Sequence, residues 1–127
     1  MASAPADATI TKLFAALDRL DLPALAELLA EDVSMVDEIS RKWLRGKDAV
    51  LASLAPTFAA VQSIQSSISD LRANEGAGYA TVTCMLDQRY VIDGQATTIT
   101  APTTCVLRGA TDGWRIVVMH SVPLAEG

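Results

Sequence analysis

Residues 17–37, LDRLDLPALAELLAEDVSMVD, change the period of their apolar positions once, and that change decides the fold. Leu17 closes a stripe begun by Ile10, Leu13 and Phe14 at i, i+3, i+4 and i+7, a helix with one apolar face that Leu20 extends. Asp21 and Pro23 then offer a capping oxygen and a preset φ for a second helix. Leu25, Leu28 and Leu29 form its buried side, and Glu31-Asp32 ends it. In Val33-Ser34-Met35-Val36-Asp37 the period becomes two, so Val33, Met35 and Asp37 share one face of a strand. If that face is the interior, a carboxylate closes an otherwise apolar strand. Burying it without a partner costs several kcal/mol or moves its pKa, so it is either satisfied, protonated or placed for work on a ligand. The alternative is plainer: Asp37 starts the loop Asp37-Glu38-Ile39-Ser40.

Outward from this stretch, a polar loop carries Trp43. Gly46-Lys47-Asp48-Ala49 then opens a third helix with Val50, Leu51, Leu54 and Phe58 inward, which Pro56 should kink or end. From Val61 the pattern is that of strands. Residues 63–71 are Ser- and Gln-rich with Ile64 and Ile68 at even positions, a half-open strand. Residues 78–91 and 95–108 are rich in Thr, Val, Tyr and Ile and meet at Asp93-Gly94, the strongest short-range hairpin motif. Residues 109–113 turn into a last strand, 114–122, stopped by Pro123. Three helices followed by antiparallel strands give an α+β domain with helices on one face of a curved sheet.

The hairpin assigns faces. With Asp93-Gly94 as a two-residue turn, Val82 faces Cys105, Cys84 faces Thr103 and Leu86 faces Ala101. That apolar face should meet the helices. The other face carries Tyr79, Thr81, Thr83, Met85, Asp87 and Arg89 opposite Thr98, Thr100, Thr104 and Val106, a surface suited to a sheet-to-sheet dimer or to solvent. Cys84 and Cys105 are diagonal neighbours, roughly 7 Å or more apart, so both thiols should be free.

Composition bounds the function. A chain of 127 residues is one domain with room for a core and a modest pocket. Half of its residues are hydrophobic and 20% charged, which suits a self-associating surface. The net charge of −5 and scattered basic residues argue against nucleic acid. The opening Met1-Ala2-Ser3-Ala4-Pro5-Ala6-Asp7 has neither the basic nor the apolar region of a signal peptide, and no segment is long and apolar enough for a membrane span, so a cytoplasmic location is expected. Two cysteines without a CxxC pair and a single histidine, His120, make a metal site unexpected.

Residues 17–37, the helix opening Gly46-Lys47-Asp48-Ala49, and Gly113-Trp114-Arg115-Ile116-Val117-Val118-Met119-His120-Ser121 resemble, in order and spacing, elements of the nuclear transport factor 2-like superfamily. That superfamily includes ketosteroid isomerase and the SnoaL-like polyketide cyclases. The resemblance divides the chain into a flexible tail over 1–8, a single SnoaL-like domain over 9–123 and a tail over 124–127. It implies a cone: three N-terminal helices wrapped by a strongly curved antiparallel sheet, with a pocket at the open end, commonly in a homodimer formed through the sheet.

Under that resemblance Asp37 falls where the isomerase branch has its proton-shuttling aspartate, and His120, whose ordinary pKa is near neutrality, is the candidate partner. The expected pocket comprises Leu13, Phe14, Leu17, Met35, Trp43, Phe58, Val82, Leu86, Tyr90, Thr103 and Cys105. Leu13 and Cys105 stand where the isomerase has its two oxyanion donors, which argues against steroid isomerisation. Trp43, Tyr90, Thr103 and His120 are the replacement donors to weigh. The loop before the last strand does not fix its register, so either His120 or Met119 and Ser121 face inward. Two readings remain open: a cofactor-free isomerase, cyclase or dehydratase acting on a small hydrophobic carbonyl compound, or a non-catalytic dimeric ligand-binding or protein-interaction module.

Overall fold

The computed structural model describes residues 5–37 and 41–124, so the expected loop residues Glu38, Ile39 and Ser40 and the outermost parts of both expected tails lie outside the described residues. The elements run α1 (Ala6–Asp18), α2 (Leu22–Glu27), β1 (Leu29–Val36), β2 (Trp43–Arg45), α3 (Lys47–Ala60), β3 (Val61–Glu75), β4 (Tyr79–Ile92), β5 (Gln95–Ala110) and β6 (Gly113–Ser121). The six strands form one sheet in the order β2-β1-β6-β5-β4-β3. All neighbours are antiparallel except β1 and β6, which are parallel, so the sheet is mixed rather than purely antiparallel. Parallel pairing needs a long crossover, and everything from β2 to β5 provides it. Register shifts in the β1–β6, β3–β4 and β5–β6 ladders, the second at Asp70 with φ 50°, are bulges that bend the sheet around the helices.

The first two helices end earlier than their apolar patterns suggest. α1 starts at Ala6, three residues before the expected domain boundary, and buries Ile10, Leu13 and Phe14. Leu20 does not extend it; the helix stops at Asp18 and Leu20 takes a left-handed φ of 55°. In α2 the Asp21 carboxylate accepts the Ala24 N–H at 3.1 Å, as a capping residue should. Replacing Asp21 by alanine is expected to cost about 1 kcal/mol, read as a lower Tm with an unchanged circular dichroism spectrum. The helix ends at Glu27 rather than at Glu31-Asp32, because the sheet recruits the chain sooner: Ile116 donates its N–H to the Leu28 carbonyl at 2.9 Å, and Leu29 already pairs with Ile116.

Two further expectations are corrected. Trp43 is not in a loop but opens β2, an edge strand paired to β1 through Val36. Pro56 does not end the helix, since α3 continues to Ala60. Pro56 and Ala52 are both exposed, so the carbonyl that loses its amide partner has water available instead.

The β4–β5 hairpin has the expected register along its whole length, including Val82 opposite Cys105, Cys84 opposite Thr103 and Leu86 opposite Ala101. Asp93 and Gly94 both have positive φ, 53° and 76°, as a turn matching strand twist requires. All six of those residues are buried. On the opposite face Thr81, Thr83, Asp87, Arg89, Thr98 and Thr104 are exposed. Cys84 and Cys105 are free and buried, and burial, with Cys84 close by, pushes the Cys105 thiol up to about 12. The core lies between the inner face and the helices, with Ile10, Val33, Val50, Leu107 and Ile116 fully buried. No described helix is long and apolar enough to cross a membrane.

Candidate functional site

Beyond Leu86 the inner face of β4 changes character. Alternation places Gln88, Tyr90 and Ile92 on the same face as Val82, Cys84 and Leu86, and these residues border open space rather than packed core. The space is a cavity of about 270 Å³ between α1, α3 and the sheet, just below the usual range for small-molecule sites. Leu13, Phe14 and Leu17 of α1 form one wall, and Ser53, Leu54 and Thr57 of α3 another. The ends of β1 and β6 bring in Met35, Asp37, Met119 and Ser121.

Asp37 borders the cavity directly after β1, beside Met35 and Val36. Val33 is fully buried, Met35 lines the cavity, and Asp37 follows on the same side. Its backbone is fixed at the β1–β2 turn: its N–H donates to the Lys42 carbonyl at 2.9 Å and its carbonyl accepts the Arg41 N–H at 2.7 Å. Close by on β2, Arg45 lies over the Trp43 ring at 4.6 Å and donates to Ser34 Oγ at 2.9 Å.

The β5–β6 register decides the direction of the last strand. Met119 pairs with Cys105 and Ser121 with Thr103, both on the inner face, whereas His120 pairs with the exposed Thr104. Alternation therefore turns the inner face to Met119 and Ser121 and sets His120 on the other side of the strand, although it still borders the cavity. Ser121 Oγ lies 2.8 Å from Thr103 Oγ1, which also donates to the Ala101 carbonyl at 3.2 Å.

Of the residues expected in the pocket, Leu13, Phe14, Leu17, Met35, Leu86 and Tyr90 line the cavity together with Asp37. Trp43 does not; it is 47% exposed on the edge strand. Phe58 packs half-buried against the core, while Val82, Thr103 and Cys105 lie in the packed part of the sheet, nearer the other end of the hairpin. Their face was assigned correctly, but position along the strand separates core from cavity. Gln88 was not foreseen, although continuing the series Val82, Cys84, Leu86 by one step finds it.

Gln88 is held from behind. Its Nε2 donates to Ser66 Oγ at 3.1 Å, and the Ser66 hydroxyl and N–H donate to the two carboxylate oxygens of Asp18 at 2.7 and 3.0 Å. Among the described residues, His, Cys, Asp and Glu form no group of three that could hold a metal ion.

The sequence profile of the SnoaL-like domain matches residues 6–125. No curated protein sequence matches the chain. Among solved structures, a candidate dehydratase of the NTF2-like family from Streptomyces avermitilis shares 25% identity over 94% of both chains, with a TM-score of 0.84. A ketosteroid isomerase-like protein from Erwinia carotovora atroseptica shares 19% identity over 94% of both chains, with a TM-score of 0.79. A candidate calcium/calmodulin-dependent protein kinase type II association domain from Thiobacillus denitrificans shares 24% identity, covering 98% of this chain and 99% of that one, with a TM-score of 0.75. The last two, below 25% identity, speak for the fold alone.

Proposed function

Since the chain belongs to the SnoaL-like domain family within the NTF2-like superfamily, we propose that it binds a small, mostly hydrophobic carbonyl compound in its cavity and that Asp37 moves a proton on it without a cofactor. The observation that carries this reading is a carboxylate on the wall of a largely apolar cavity, at the end of a strand whose other inward residues are apolar. As a base, Asp37 takes the proton from the carbon next to the carbonyl, and the electron pair passes to the carbonyl oxygen as an enolate. The same group, now protonated, returns the proton to another carbon in an isomerisation, gives it to the oxygen of a second carbonyl as the enolate carbon bonds to that carbonyl's carbon in a cyclisation, or hands it to a departing hydroxyl in a dehydration. The enolate oxygen needs hydrogen-bond donors. Tyr90 places a phenolic hydroxyl on the cavity wall as the candidate donor. Leu13 on the α1 wall has none, and Cys105 is buried in the packed core, so steroid isomerisation is not expected.

That same lack of donors at Leu13 and Cys105 favours the second reading, a non-catalytic dimeric module that binds a small ligand or a protein. In either case the exposed threonines of β4 and β5, among them Thr81, Thr83, Thr98 and Thr104, form the surface we assign to a homodimer contact.

A thermal-shift screen of wild type and Asp37→Asn against hydrophobic ketones, lactones and carboxylic acids tests the reading. A ligand held at 100 times its Kd stabilises the folded state by about 2.7 kcal/mol, a shift of several degrees, and an Asp37-dependent ligand gives different shifts for the two proteins. No shift with any class, together with a much less stable Asn variant, would make Asp37 a structural residue.

A further inference from the structure

Gln88 is a polar side chain on the inner face of a central strand, between Leu86 and Tyr90. Such a group has a cost unless its hydrogen-bonding capacity is used. Part of it is used in a way that fixes the polarity of the rest. Ser66 gives its hydroxyl proton to Asp18, so Ser66 Oγ can only accept from Gln88, and the amide must turn its NH₂ toward β3. Asp18 accepts from Ser66 twice, through the hydroxyl and the backbone N–H, which holds the hydroxyl in that orientation. The three residues come from the last turn of α1, from β3 and from β4, and Ser66 and Gln88 are register partners. The amide cannot rotate to exchange its ends without losing the Ser66 bond.

One amide N–H and the carbonyl oxygen of Gln88 are left over. A ketone oxygen satisfies only the N–H, and a methyl group satisfies neither. A hydroxyl accepts from the N–H or donates to the carbonyl, and it is the simplest group able to do both. Gln88 is also far from Asp37 in the sheet, with β6 and β5 standing between β1 and β4. The wall between these polar ends is apolar, Leu86 included.

We propose that Gln88, locked by Asp18 and Ser66, is the specificity-determining residue of the cavity and selects a ligand with a hydroxyl remote from its carbonyl. This rests on the cavity being the ligand site proposed above and narrows the ligand class to carbonyl compounds that carry a remote hydroxyl. Ser66 acts through Gln88 as a positioning residue.

The test is isothermal titration with a matched pair of probes, 1-tetralone and 6-hydroxy-1-tetralone, against wild type, Gln88→Leu, Ser66→Ala and Ser66→Thr. Wild type should bind the hydroxylated probe at least about 10-fold more tightly, because 1-tetralone would cover the half-buried Gln88 amide without pairing it. Gln88→Leu should abolish that preference while still binding 1-tetralone. Ser66→Ala should lower the preference, and Ser66→Thr, which keeps the hydroxyl, should restore it; a merely structural loss would weaken both probes alike. Equal binding of the two probes by wild type, or a preference that survives Gln88→Leu, overturns the inference and leaves the cavity reading standing. Failure of wild type to bind either probe overturns the cavity reading and the inference with it.

Discussion

Asp37→Asn is expected to leave the fold intact and to slow proton transfer in the cavity about 10²- to 10⁴-fold. The substitution keeps the size and the hydrogen-bonding reach of the side chain and removes its basicity. The backbone bonds of residue 37 to Arg41 and Lys42 do not involve the side chain, so the turn after β1 should survive. The readout need not await the natural substrate. A bound ketone incubated in D₂O should exchange the hydrogens next to its carbonyl when wild type is present, and NMR follows that exchange directly. Asp37→Asn should bring the rate close to the buffer background. Equal rates for the two proteins would remove Asp37 from the chemistry, and exchange by neither would leave the binding-module reading in possession. A catalytic outcome would also require donors at the enolate, which Tyr90→Phe would test in the same assay.

Leu107→Ala is expected to produce the largest loss of stability, about 3 kcal/mol and a Tm lower by roughly 10 °C. Leu107 is fully buried on the inner face of β5, opposite Ala80 on one side and Ile116 on the other. Its neighbours are held by strand pairing on both sides, so the sheet cannot close over the missing methyl groups, and the site should stay a void. Thr83→Ala on the exposed face of β4 is the control and should stay within about 0.5 kcal/mol of wild type. Chemical denaturation with a common slope distinguishes this from a change in the unfolded state. A loss below about 1 kcal/mol would mean that the helices relax into the void.

What could be read from the chain alone depended on the range of the forces involved. The β4–β5 pairing was accessible because Asp93-Gly94 fixes the turn locally and every pair follows from it by counting. Asp21 as a cap was accessible for the same reason, since its partner is three residues away. The end of α2 was not, because the chain leaves the helix for β6, whose sequence lies more than eighty residues further on. The direction of His120 needed the register with β5, which the preceding turn does not determine. Facing inward and lining the cavity are separate properties. Val82, Thr103 and Cys105 face inward as expected but are fully buried, whereas Gln88, further along the same face, meets open space. Alternation gives the side of a strand, and only the packed helices say which part of that side stays uncovered.

The pairing of β1 with β6 has a consequence for how the chain is made. β1 can pair with β2 at once, but its other edge stays open until β6, the final strand of the sheet, has been synthesised. With elongation of about 5–20 residues per second, that edge waits several seconds or more, with Val33 and Met35 among the apolar groups left unsheltered. The domain is therefore completed only around the time its last strand clears the ribosome, and a truncation removing β6 should yield an aggregation-prone chain rather than a smaller folded one.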